Sequence, residues 1–169
     1  MAGIPLLHRP ACYRGFTLIE MVMVIVLTGI IAALGSSMLA AGFNSYSTSK
    51  NLTQAQWQGT IAIERMSRDL RTIRSASAAD LTLAPGTQIT FTDSNANVIS
   101  YTLSGTTLLR NGQPLADDIN SLNFSYIASD GKTTAASAAL VHYVVVDLSV
   151  NVLGSTAAVR TAIHPGNFL

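Results

Sequence analysis

Residues 14–20 read Arg14-Gly15-Phe16-Thr17-Leu18-Ile19-Glu20, and residues 21–27 follow as Met-Val-Met-Val-Ile-Val-Leu. From Met21 to Ser49 no residue is charged. A helix needs about 20 mainly apolar residues to cross a bilayer, and the stretch from Phe16 to Ala41 meets that length. It is rich in β-branched residues. In hydrocarbon, however, the backbone must satisfy its own hydrogen bonds, so the segment reads as a helix. Glu20 is the exception within it. A carboxylate at membrane depth costs roughly 2.5 kcal/mol or more unless it finds a partner. It either lies close enough to the interface to reach water or awaits a cation from another molecule.

Ahead of this segment stand Arg9 and Arg14, with no acid. Positive charge flanking a first apolar segment keeps that end in the cytoplasm, so the rest of the chain is expected to be exported. A cleaved secretory signal peptide is the competing reading. It requires a shorter apolar region followed by a small-residue cleavage site, and Gly35 to Ala41 offers candidates for one.

Composition agrees with a polar domain carrying an apolar segment. The chain has 169 residues, 49% hydrophobic and 11% charged, with formal net charge +1. An ordinary soluble domain is roughly 25% charged. Low charge with high hydrophobicity argues against disorder, and the near-zero net charge gives no support for a strongly basic nucleic-acid binder. The lone cysteine, Cys12, excludes an internal disulfide framework and a cysteine-based zinc cluster. Beyond Ser49, 120 residues carry eight basic and eight acidic side chains. The second part of the chain is therefore itself weakly charged and neutral.

The run from Arg14 to Glu20, with its apolar continuation, resembles the processing site of type IV pilins and type II secretion pseudopilins. The shared pattern is a basic residue, glycine, phenylalanine, glutamate four residues on, then about twenty apolar residues. The resemblance implies cleavage after Gly15 on the cytoplasmic side by a membrane aspartyl peptidase, the prepilin peptidase. It also implies N-methylation of the new terminus, Phe16. A partner for Glu20 follows: the Phe16 amino group of an adjacent subunit, which relieves two buried charges at once. The cleaved leader is 1–15. The mature chain then has eight basic and nine acidic side chains and no cysteine.

Within the apolar helix, Gly29, Ala33, Ser37 and Ala41 form one row at i, i+4, and Ala32, Ser36 and Ala40 form the next. Small residues in such rows let membrane helices approach closely, although helix-forming alanine without a partner reads the same way. In the family such helices bundle in the filament core. Many major pilins carry proline where this chain has Ser37, a departure that weakens assignment as a major pilin.

Residues 44–75 contain no proline, and Ala62, Met66, Leu70 and Ile73 recur at three and four, one face of a helix. Trp57 and Ile63 are expected to flank that side. The helix is expected to run from near Thr17 to near Ile73, with weak points at Gly42 and Gly59. Its opposite side carries Arg65, Arg68, Arg71 and Arg74. Four arginines in ten residues suit a nucleic-acid contact. A solvated face is the stronger reading, because Glu64 with Arg68 and Arg65 with Asp69 are i, i+4 pairs of opposite sign. No aromatics interleave for base stacking, and a subunit contact is a further alternative. Residues 64–71 also resemble the corresponding helix of J-type pseudopilins and large minor pilins.

From Ala76 onward alternation replaces the helical period. Strands are expected at Ile89–Phe91, Ile99–Leu103, Leu122–Tyr126, Leu140–Val150 and Ala157–Ile163. Turn signals lie at Asp93 to Asn97, Ser104-Gly105, Asn111-Gly112, Asp130-Gly131 and Gly154-Ser155. Helix first and strands after make an α+β fold: a long N-terminal transmembrane helix whose second half packs on an antiparallel β-sheet domain, the type IV pilin fold. The segments are 1–15, the leader; 16–43, the transmembrane and filament-core helix; 44–75, its amphipathic continuation; and 76–169, the β-sheet head.

Asp93, Asn95 and Asn97 begin like a calcium loop. Val98 stands where glycine is required and Ser104 where glutamate is, so a hairpin turn explains them better. Asp117, Asp118 and Asp130 read as solvated turn acids before calcium ligands, and His142 as a strand histidine beside Leu140, Val144 and Val146. No nucleophile motif, phosphate loop or His/Cys/acid cluster is present. A structural subunit is therefore expected, with neither cofactor nor metal and with no enzymatic activity. Its expected partners are the prepilin peptidase, other pilin or pseudopilin subunits and the inner-membrane assembly platform. It is expected to span the inner membrane once, amino terminus cytoplasmic and head periplasmic, before entering a type IV pilus, an MSHA-like pilus or a type II secretion pseudopilus, near its tip. The rivals are a competence-type minor pilin that binds DNA through the arginine face and an exported, membrane-anchored hydrolase.

Overall fold

The computed structural model describes residues 15–84 and 86–168. The chain divides into two compact units, one ending at Ser45 and one running from Tyr46 to Leu169. Helix α1, Leu18–Leu70, supplies the secondary structure of the first unit's described residues and opens the second. In the first unit every described residue is exposed.

The second unit is built on the last part of α1 and eight antiparallel strands. A five-stranded meander contains β1 (Leu81–Thr82), β2 (Gln88–Thr92), β3 (Val98–Ser104), β4 (Thr107–Arg110) and β5 (Gln113–Ala116) in sequential order. A three-stranded meander follows, with β6 (Ile119–Ile127), β7 (Tyr143–Val152) and β8 (Ser155–Ile163). A bridge from Gly86 to Phe124 joins the two sheets. The stripe Ala55, Ala62, Met66 and Leu70 is fully buried. It packs into one core with Ile89, Phe91 and Tyr101 of the first sheet and Phe124, Val144, Val146 and Val150 of the second. The architecture is thus the expected α+β arrangement, an apolar-start helix on an antiparallel β domain.

Several details differ from expectation. Trp57 is 66% exposed; it stands two residues from Ala55 and from Gly59, about 200° round the helix, and so faces away from the sheet. Gly59 is no weak point, since the helix continues through it and it is buried beside Val150 and Val159. The helix ends before Ile73. Thr72 N–H donates to Asp69 O and Ile73 N–H to Leu70 O, the tighter spacing of a final turn. Ile73 is still core, but through a bridge to Asp93. The strand expected from Leu140 begins at Tyr143, because Ala138–Leu140 forms a 3-10 turn that leaves Leu140 exposed. Strand β1, of two residues, was not expected, and neither were β4 and β5. Each of these two has four residues, and β5 begins Gln-Pro, too short to establish alternation. Their turn is the Asn111-Gly112 signal, with φ of 51° and 77°, the conformation a tight hairpin demands.

Asp69 fastens the helix to the first sheet. It is only 7% exposed. Its Oδ2 accepts hydrogen bonds from the Tyr101 hydroxyl of β3 at 2.7 Å and from Arg110 Nε of β4 at 2.6 Å. Arg65 Nε lies 3.4 Å away, one turn back on α1. Burial, reinforced by this carboxylate, pushes the Tyr101 hydroxyl far above its ordinary range, so it remains a donor. The same carboxylate raises Arg110. Removing one partner of a hydrogen bond to a charged group costs about 1.5–3 kcal/mol, so Tyr101→Phe should lower stability by that order. Asp69→Ala should cost about 3 kcal/mol, the low end for a broken buried pair because Arg110 keeps some exposure. Urea unfolding of the detergent-solubilised chain, followed by circular dichroism, checks both; no change in Asp69→Ala would refute the fastening role.

Candidate processing and assembly site

Gly15, Phe16 and Thr17 precede the helix without regular structure, and all three are exposed. Thr17 is the cap: the Glu20 N–H donates to its Oγ1 at 3.3 Å, and the Met21 N–H donates to its carbonyl at 3.2 Å. Thr-x-x-Glu is the spacing of a capping box, a signal present in the sequence that its reading passed over. The Gly15–Phe16 bond therefore lies in exposed chain without regular structure, two residues ahead of the helix start. The leader itself, apart from Gly15, lies outside the described residues, as does Cys12.

Glu20 occupies the first turn, exposed, beside the positive pole of the helix. Among the described residues no cation reaches it in an ion pair. The apolar run behind it reaches a mean hydropathy of 2.5 over 18 residues, with none of them buried. That apolar helix fits a membrane anchor. Two hydroxyls in the small-residue rows turn inward: Ser36 Oγ donates to Ala33 O at 3.0 Å and Ser37 Oγ to Leu34 O at 2.8 Å. They leave no unsatisfied donor facing lipid or a neighbouring helix. No atom lies near the Cβ position of Gly29, so the row of Gly29, Ala33, Ser37 and Ala41 is open along its length.

The four arginines do not form one free face. Arg65 is near Asp69. Arg74 pairs with Asp80, at 3.1 Å from Nε and 3.0 Å from a terminal nitrogen. The Ser75 hydroxyl and then Arg74 hold the Asp80 carboxyl below its ordinary range. Arg68 and Arg71 line a shallow groove with Ile63, Glu64 and Ser67. Of the two expected i, i+4 pairs, Arg65–Asp69 forms; Glu64–Arg68 is not an ion pair here. Sequence reading missed the larger point, that Asp69 has a second arginine partner 41 residues away.

The acidic turns are occupied by their own chain. Asp93 accepts from the amides of Asn95 and Asn97, at 2.9 and 2.8 Å, and from the Asn97 side chain at 3.1 Å. Asp130 accepts from the Lys132 and Thr133 amides and from the Thr133 hydroxyl. Asp117 accepts from Thr107. Among the described residues no group of three His, Cys, Asp or Glu could hold a metal. His142 precedes β7, and its ring lies 6.0 Å from that of His164.

Comparison with known families matches the prokaryotic N-terminal methylation motif to residues 11–36. No curated protein and no solved structure matches the chain.

The loop carboxylates make stability pH-dependent. The Asn97 amide, above all, lowers Asp93, and the Thr133 hydroxyl, above all, lowers Asp130. A depressed carboxyl stabilises the fold above its unfolded pKa, about 3.9, and that stability is lost as pH falls through the lower folded value. The thermal midpoint should therefore drop as pH falls below about 4, and Asp93→Asn should flatten the drop. Added calcium should leave the midpoint unmoved; an upward shift would restore the ion-loop reading.

Proposed function

We propose, on the premise that the methylation motif and the helix-on-sheet fold support the type IV pilin and pseudopilin family, that this chain is a minor filament subunit. That family consists of structural subunits, and the motif implies processing by prepilin peptidase and assembly with other pilin subunits. Beyond this, the reading is specific. Cleavage follows Gly15, releasing the leader 1–15. The new terminus, Phe16, is methylated. The subunit waits in the inner membrane, amino terminus cytoplasmic and head periplasmic, until the assembly platform draws it into a type IV pilus, an MSHA-like pilus or a type II secretion pseudopilus, near the tip. Segment 16–43, helical from Leu18, forms the filament core, and the row through Gly29 and Ala33 packs against neighbouring helices.

The observation that carries this reading is the conjunction at the helix start: an exposed Gly15–Phe16 bond, a Thr17 cap and a lone carboxylate at Glu20. Four residues separate Phe16 from Glu20, about 6 Å along a helix axis. In a neighbour displaced axially by that step, the Phe16 ammonium meets the carboxylate. In hydrocarbon the pair removes two costly lone charges and sets the axial register. The DNA-capture rival has less support, because Arg65 and Arg74 are committed to Asp69 and Asp80.

Gly15→Ala should block cleavage, since a Cβ enters the peptidase subsite; intact-mass measurement of the membrane-bound chain reads this directly, and normal processing would sink the assignment. Glu20→Ala should still be cut but should enter filaments at least tenfold less, about 1.4 kcal/mol or more of lost register energy. Quantitative immunoblotting of sheared filaments against membranes is the check, and unchanged incorporation would remove the charge pair.

A further inference from the structure

Among the described residues Leu153 is the most exposed large hydrophobic side chain, at 88%, above Leu18 at 83%. It forms the tip of the β7–β8 hairpin with Gly154, and its φ is +48°. Such a turn is ordinarily given to Asn, Asp or Gly, which adopt positive φ with less strain. Neither packing nor turn chemistry accounts for leucine there. The tip is also held firmly. Asn151 Oδ1 accepts from the Gly154 amide at 3.1 Å, and Asn151 Nδ2 donates to Thr156 Oγ1 at 2.8 Å.

The tip's place in the head unit follows from its neighbours on α1. Val150 and Val159 lie against Gly59. Further along, the Gly166 amide donates to Arg71 O and Asn167 Nδ2 to Ile73 O. Strand β8 therefore runs in the same direction as α1. Traced back five residues from Val159, at about 3.3 Å each, the tip lies roughly 16 Å upstream. That equals about eleven helical residues before Gly59, close to Thr48. This is the end at which the chain enters the unit from the apolar segment. Tyr46, 70% exposed, stands at the same end, and tyrosine is enriched where membrane meets water.

We propose that the β7–β8 tip, with Leu153 at its apex, is a lipid-contact element that enters the interfacial layer of the bilayer while the subunit is membrane-anchored. Its ligand is the bilayer surface, met through apolar contact. Charge does not recruit it: residues 151–158 carry no charged side chain. Binding should therefore be insensitive to salt and to anionic lipid. The inference rests on the apolar helix spanning a membrane and is independent of filament assembly.

The test uses the full chain, Cys12→Ser, in proteoliposomes at low protein-to-lipid ratio. An environment-sensitive fluorophore is placed on Leu153→Cys or, as the control, on Val98→Cys. Val98 pairs with Thr92 beside the Asp93–Ile73 bridge, at the other end of the helix. Retention of the chain through an alkaline wash establishes the span separately. Acyl-brominated phosphatidylcholine should quench the label at 153 several-fold more than the label at 98, equally with and without phosphatidylglycerol. With the label moved to Ser155→Cys, adding Leu153→Asn should reduce the quenching. Water-like emission at 153 in washed, span-retained vesicles would overturn the proposal. So would a blue shift that grows only with protein density, which marks a second copy as the occupant, or quenching at 155 unaltered by Leu153→Asn.

Discussion

Asp69 sits in the last turn of a helix, where the carbonyl ends already concentrate negative charge. An acid there is unfavourable by itself, and this one is nearly buried. It is stable only because Arg110 and Tyr101 bring donors from β4 and β3, and Arg65 adds a positive charge from the preceding turn. The constraint works in both directions. The helix end cannot leave the five-stranded sheet without stranding a carboxylate, and the β3–β4 hairpin cannot shift register without stranding Tyr101 and Arg110. Apolar burial along Ala55, Ala62, Met66 and Leu70 supplies the bulk of the contact, but it is non-directional. The carboxylate selects one docking among those the stripe would accept.

The first unit obeys the opposite logic. Its described residues are all exposed, and the hydroxyls of Ser36 and Ser37 are turned back on carbonyls of their own helix. A surface so apolar is stable only in lipid or against other helices of its kind. One chain thus holds a unit complete in itself and a unit that other molecules must complete. The neutral, weakly charged head suits that role, because crowded neighbours along a filament repel least when each carries little net charge.

Much of this was legible beforehand. The apolar run, the position of Glu20 and the motif around Gly15 and Phe16 are local in sequence, and local pattern suffices to read them. The buried helical stripe was likewise legible from its period, although Trp57 was assigned to the wrong side by nearness in sequence. The strands with clear alternation were found, whereas β4 and β5 were too short to carry a period. The Asp93 and Asp130 turns were legible as turns, since Asx chemistry is local. The Arg65–Asp69 pair was visible because its members stand four apart. The Arg110 and Tyr101 contacts were not, because they join positions 41 and 32 residues from Asp69.

By itself, then, the sequence determined the apolar helix, its cap, its lone acid and the α-then-β order, all features whose physics acts within a few residues of chain. Only the tertiary structure decided which arginines are committed, that the sheet is two meanders joined at Gly86 and Phe124, and that Leu153 stands bare at the end nearest the anchor's attachment. Those depend on the order in which distant strands pair and on the direction β8 takes along the helix. Such choices are settled by the packing of a whole core, and no short stretch of residues records them.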